Sequence, residues 1–145
     1  MSPTSRGIDA YRRTEAQSAS PMQLVVMLYD GALRFLSEAR AAQATGDMPR
    51  RAHALRRVAA IIAECHSTLD LERGGAVAAE LDRLYSYVSA RLLDVTVKKD
   101  ATAIDEIHKL LTPLRNAWAE ATAQGVIAGG AAPTTTTTAG MAVRP

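Results

Sequence analysis

The chain has 145 residues, a net charge of +2, 48% apolar residues and one cysteine, Cys65. That length favours a single domain around one hydrophobic core, the lone cysteine excludes an internal disulfide framework, and the small net charge gives little reason to expect an anionic polymer as partner. Apolar runs are broken by charges well short of the ~20 residues that span a bilayer, and residues 1–17 lack the apolar stretch of a secretory leader, so a cytoplasmic protein without membrane insertion is expected.

Alanine, leucine and arginine dominate, whereas Trp and Phe each occur once. This is a helical composition, poor in the β-branched and aromatic runs of strands. Residues 1–19 carry Pro, Gly, Ser, Arg and Gln with few apolar side chains. Ile8 and Tyr11 stand out there as candidates for a short docking or capping segment, extended or briefly helical.

Ser20, Pro21 and Gln23 form a capping box with proline in the first helical position, so a helix is expected over Pro21–Thr45. Leu24, Leu28, Ala32, Phe35 and Ala39 make one apolar stripe, and Val25, Val26, Tyr29, Leu33 and Leu36 a second beside it. A helix apolar over so much of its circumference needs burial on more than one side. Gly46 stops it and Asp47 caps the next, expected over residues 48–71 with a stripe of Ala52, Leu55, Ala59 and Ile62.

Gly74-Gly75 offers a terminator with φ > 0. A third helix is expected over residues 76–97 on Leu81, Leu84, Val88, Leu92 and Val95, widened by Tyr85 and Leu93. Asp100 caps a fourth, running to Gln124 on Ile104, Ile107, Leu111, Leu114 and Trp118. Pro113 removes one of its hydrogen bonds, yet the apolar period continues across it, which reads as one bent helix. Residues 125–145, rich in Gly, Ala and Thr, have little to bury and read as a disordered tail.

Four helices of about 35 Å each with short connections imply an all-α, antiparallel up-down-up-down four-helix bundle over residues 20–124. Catalysis finds no support. His53 and His66 lie thirteen residues apart on the second expected helix and His108 on the fourth, and Cys65 and His66, as helix neighbours, diverge by about 100°. Asp105-x-x-His108 is a single approximation to a di-iron motif that needs two copies, so neither an enzyme nor a metal or other cofactor is expected. Arg50, Arg51, His53, Arg56 and Arg57 suggest a basic strip, read here as a solvated outer face rather than a nucleic-acid site. What remains is surplus apolar surface at Val26, Tyr29, Leu33 and Tyr85. It points to a helix-in-groove interaction domain.

Four stretches, in order, carry a family resemblance. Ala10-Tyr11-Arg12-Arg13-Thr14 comes first, then Ser20-Pro21-x-x-Leu24-x-x-Met27-Leu28-Tyr29-Asp30-Gly31-Ala32. Ser67-Thr68-Leu69-Asp70 leads to Gly74-Gly75, and Leu114-Arg115-x-Ala117-Trp118 closes the series. Together, over roughly residues 8–120, the chain resembles the FliS family of flagellar export chaperones. That resemblance implies a cytoplasmic chaperone, requiring neither nucleotide nor metal, that binds the C-terminal segment of flagellin. It would prevent premature polymerisation and deliver flagellin to the flagellar type III export apparatus, with the export gate and a flagellin-level regulator as further partners. It also implies a role in cargo binding for the N-terminal segment, where Ile8 and Tyr11 match. The runner-up reading is a helical adaptor for a different helical partner, and the third a weak nucleic-acid binder.

Overall fold

A computed structural model describes residues 20–124. Four helices follow one another: α1 (Pro21–Thr45), α2 (Met48–Ser67), α3 (Leu71–Lys98) and α4 (Ala101–Gln124). The connections are too short for crossovers, so successive helices run antiparallel. Each packs on its chain neighbours, and α4 closes the ring on α1. The expected bundle is observed.

The boundaries follow local chemistry. Ser20 Oγ accepts from the Gln23 amide at 3.1 Å, while Gln23 Oε1 accepts from the Ser20 amide at 2.8 Å. α1 stops at Gly46, whose φ is 79°. Asp47 Oδ1 accepts from the Arg50 amide at 3.2 Å to start α2.

The α2–α3 junction differs from the sequence expectation. α2 ends at Ser67, short of residue 71. The Ser67 and Thr68 hydroxyls turn back onto the Glu64 and Cys65 carbonyls, both at 3.0 Å. Asp70 then caps a further turn by accepting from the Arg73 amide at 3.0 Å. Gly75 breaks that turn from the body of α3 with φ 57° and ψ −134°. Those angles lie outside the range of an L side chain, so the glycine pair divides a capped first turn from α3 rather than ending α2. In α4 the helix runs uninterrupted through Pro113, as expected.

The core is a line of side chains from all four helices. It includes Tyr29, Leu36 and Ala39 of α1, Leu55, Val58 and Ile62 of α2, Tyr85, Val88 and Leu92 of α3, and Ile104, Ile107, Leu111 and Trp118 of α4. On α1 the buried line threads between the two apolar stripes, leaving Leu24 exposed. On α2 the expected stripe is buried at Leu55 and Ile62 but not at Ala52 and Ala59, whose places in the core are taken by Ala54 and Val58. Small residues at Ala32, Ala39, Ala42, Ala54 and Ala103, all buried, let the helices approach closely.

Candidate functional site

Among the grooves formed by the described residues, two lie between neighbouring helices. The one between α1 and α4, about 750 Å³, has Leu36 and Ile104 on its floor and is lined by Ser37, Arg40, Asp105 and His108. Arg40 spans it to Asp105 at 3.1 Å. That ion pair engages the carboxylate of the Asp105-x-x-His108 motif, and among the described residues no group of three metal-ligating side chains comes together.

The groove between α2 and α3, about 690 Å³, has a different character. Leu55 and Leu92 form its floor, and Ala52, Ala59 and Ser89 keep its walls low. Leu93 stands on its rim with 68% of its surface exposed, and Val97, one turn further along α3, is 76% exposed. Apolar side chains this bare on a small bundle cost about 1.5–3 kcal/mol each relative to full burial. Low walls and a bare apolar rim suit a second helix laid lengthwise.

One end of this groove is fixed by Arg51. Its Nε donates to Gln43 Oε1 at 2.8 Å, and its Nη2 donates to the Val95 carbonyl. Gln43 in turn donates to the Lys99 carbonyl at 2.8 Å. The guanidinium therefore ties α2 to α1 and to the C-terminal end of α3. Arg51 is 4% exposed, and burial lowers its pKa. This corrects the reading of Arg50, Arg51, Arg56 and Arg57 as one solvated strip. Arg51 is internal, and Arg50 is engaged with Glu38 at 3.3 Å. Of the four, Arg51 and Arg56 line the groove.

The residues expected to bind a partner scatter. Ile8 and Tyr11 lie outside the described residues. Val26 and Leu33 are half-buried against the core. They sit one turn either side of Asp30, which faces α4, so they belong to the α1–α4 seam. Tyr29 and Tyr85 are 2% exposed each, and their hydroxyls meet at 2.6 Å inside the bundle. Burial is the main cause raising both phenol pKa values. The two tyrosines are therefore corrected from groove lining to core. Surplus apolar width on a stripe was the signal behind all four, and it does not distinguish a wide core from a free surface. Leu93 and Val97 were the informative residues. Leu93 directly follows the core residue Leu92, so it has to turn away from the core.

Asp30 and Arg115 show what the recurrent motifs do locally. Arg115 donates to both carboxylate oxygens, Nε to Oδ1 at 2.6 Å and Nη2 to Oδ2 at 3.3 Å. The Tyr29-Asp30-Gly31 stretch is thereby clamped to Leu114-Arg115.

A family model described as flagellar protein FliS matches residues 4–125. The chain belongs to the FliS family. It is 39% identical over 120 residues to the flagellar secretion chaperone FliS of Salmonella typhimurium, covering 79% of this chain and 89% of that protein. Against the flagellar secretion chaperone FliSB of Pseudomonas aeruginosa the identity is 34%, over 72% and 82% of the two chains. Against FliS of Bacillus subtilis it is 32%, over 77% and 83%. The FliS model spans all four helices together with Ile8 and Tyr11. In this FliS chain the motif residues Tyr29, Asp30, Arg115 and Trp118 hold the bundle together, and none of them lines the α2–α3 groove.

Proposed function

We propose that this chain is an export chaperone for flagellin, without catalytic activity. It binds flagellin's C-terminal segment in the cytoplasm, prevents premature polymerisation and delivers the cargo to the flagellar type III export apparatus. The export gate and a flagellin-level regulator are its further partners. The supporting observation is the α2–α3 groove, with its apolar floor, low walls and bare Leu93 rim, in a protein of the FliS family. A flagellin segment that helicates only on packing exposes apolar faces when alone, and a rigid groove shields them. Ordering that segment on binding costs free energy, so affinity is tempered relative to the area buried and release stays feasible. Among the described residues no helix is long and apolar enough to cross a membrane. Ile8 and Tyr11 belong, in this reading, to a leader that covers apolar surface until cargo arrives.

Calorimetric titration with the C-terminal segment of the host's flagellin, at low and high salt, tests the proposal. The expected result is saturable binding near one-to-one, a negative heat-capacity change and weak salt dependence. Leu93→Asp should weaken binding at least about tenfold, the loss of one well-buried anchor, while leaving the fold intact. A folded sample that does not bind, or a Leu93→Asp variant that binds like the parent, would reject the groove as the cargo site.

A further inference from the structure

The outer face between α1 and α2 carries a second, chemically distinct surface. Phe35 is half-buried there, with the Arg34 guanidinium 5.0 Å and the Arg57 guanidinium 5.5 Å from its ring centroid. The His53 ring stands nearly perpendicular to it, with the two ring centroids 6.4 Å apart. Among the described residues neither Arg34 nor Arg57 has a carboxylate within ion-pair distance, and the nearby Glu38 is held by Arg50. Two guanidinium groups converge on one aromatic ring with no anion between them. About two turns toward the start of α1, on the same side of the helix, Met27 is 51% exposed and Leu24 38% exposed. Gly31 lies between the two zones. A Cβ there would sit 3.3 Å from Ile61 Cδ1, so α1 and α2 approach closely and the face between the zones stays flat.

We infer that this face is a docking surface for an acidic amphipathic helix of another protein. Its apolar anchor would cover Leu24 and Met27, and its carboxylates would reach Arg34 and Arg57. At 1.5 Å per residue, Met27 and Arg34 are about 10 Å apart along α1, so anchor and carboxylates fall about two turns apart in the partner. Charge-assisted, bidentate pairing with two arginines fits carboxylates. The chain's own terminal segments do not complement the face. Residues 1–19 carry Arg6, Arg12 and Arg13 against Asp9 and Glu15, and residues 125–145 carry Arg144 and no Asp or Glu. The surface lies on the α1 side of α2, whereas the cargo groove lies on the α3 side, so both can be occupied together.

The test uses the full chain and two designed amphipathic peptides with one leucine stripe, one carrying glutamate and the other lysine at the polar positions. Fluorescence anisotropy at low salt should show the glutamate peptide binding at least about tenfold tighter than the lysine peptide, with the preference shrinking as salt rises. Arg34→Glu with Arg57→Glu should reverse that preference, and Met27→Asp should weaken the glutamate peptide without changing thermal stability. Leu93→Asp and prior saturation with the flagellin segment should change neither result. Absence of saturable binding, equal affinity for the two peptides, or an unchanged preference in the charge-reversed variant would overturn the inference. So would competition by the flagellin segment. A gain of tenfold or more on deleting residues 1–17 would replace the external partner with the chain's own leader.

Discussion

The Tyr29–Tyr85 pair permits a calculation that separates a structural role from a binding one. The two hydroxyls meet at 2.6 Å, and both residues are 2% exposed. Among the described residues the Trp118 indole nitrogen is buried without a hydrogen-bond partner. Tyr85→Phe leaves the Tyr29 hydroxyl alone in an apolar interior, and Tyr29→Phe does the same to Tyr85. Stranding a buried hydroxyl costs about 1–3 kcal/mol. Replacing both removes the polar groups together and keeps the rings, a change close to neutral. The double variant should therefore be less destabilised than the sum of the singles, with a coupling of at least about 2 kcal/mol. With a urea m-value near the lower end of about 1–3 kcal/mol/M, each single variant lowers the midpoint by roughly 1–3 M. Urea titration followed by far-ultraviolet circular dichroism reads the shift, and Trp118 fluorescence provides a second probe. Titration with the flagellin segment should give parental affinity for the double variant. Single variants within about 0.5 kcal/mol of the parent, or a double variant equal to the sum, would refute the buried pair. A loss of cargo affinity in the stable double variant would return the tyrosines to the binding surface.

Further expectations follow from other contacts. Arg51→Met removes the donor to Gln43 and to the Val95 carbonyl and should cost about 1–3 kcal/mol; an unchanged urea midpoint would contradict the buried cross-link. Glu106 is held below the usual carboxylate range by the Tyr87 hydroxyl and then by Arg91, and Asp100 by Thr102. The unfolded chain binds more protons than the folded one in acid, so this contribution is full above the ordinary carboxylate range and lost as pH falls through the lowered folded values. Glu106→Gln should flatten the acid limb of melting temperature against pH, and an identical limb would contradict the assignment. Burial pushes the Cys65 thiol up to about 12, so iodoacetamide at neutral pH should label it only as the bundle opens. Prompt labelling of the native protein, read by mass spectrometry, would show an accessible thiolate.

Helix number, order and most boundaries were legible because the caps are local. Ser20, Asp47 and Gly46 act within one turn of themselves, and their side chains alone foretell their bonds. The α2–α3 junction was misread because Thr68 and Asp70 compete with the glycine pair for the same turn, and the outcome depends on hydroxyls folding back onto Glu64 and Cys65 carbonyls. The surface was harder. Periodicity marks which face of a helix is apolar, but whether that face meets another helix depends on the rotation of each helix in the ring. Ala59 and Leu55 share one stripe, yet a small rotation buries Leu55 and opens Ala59 to the groove. Arg51 was misplaced because arginine is seldom buried. Here the Gln43 amide and the Val95 carbonyl satisfy its donors in the interior.

The clamp from Arg115 to Asp30 joins positions 85 residues apart in the chain. The other seams link helices that follow one another across two- or three-residue turns, and such hairpins form from local contacts at low loop-closure cost. During synthesis, α1, α2 and α3 therefore emerge able to collapse on one another, while the α1 face that carries Val26 and Leu33 stays open. It remains open until α4, the last of the four described helices, leaves the ribosome and its Trp118 and Leu111 arrive. A nascent chain cut short before α4 carries the sticky surface that the finished protein has hidden. Emergence of α4, not local helix formation, sets the moment at which this α1 face is covered.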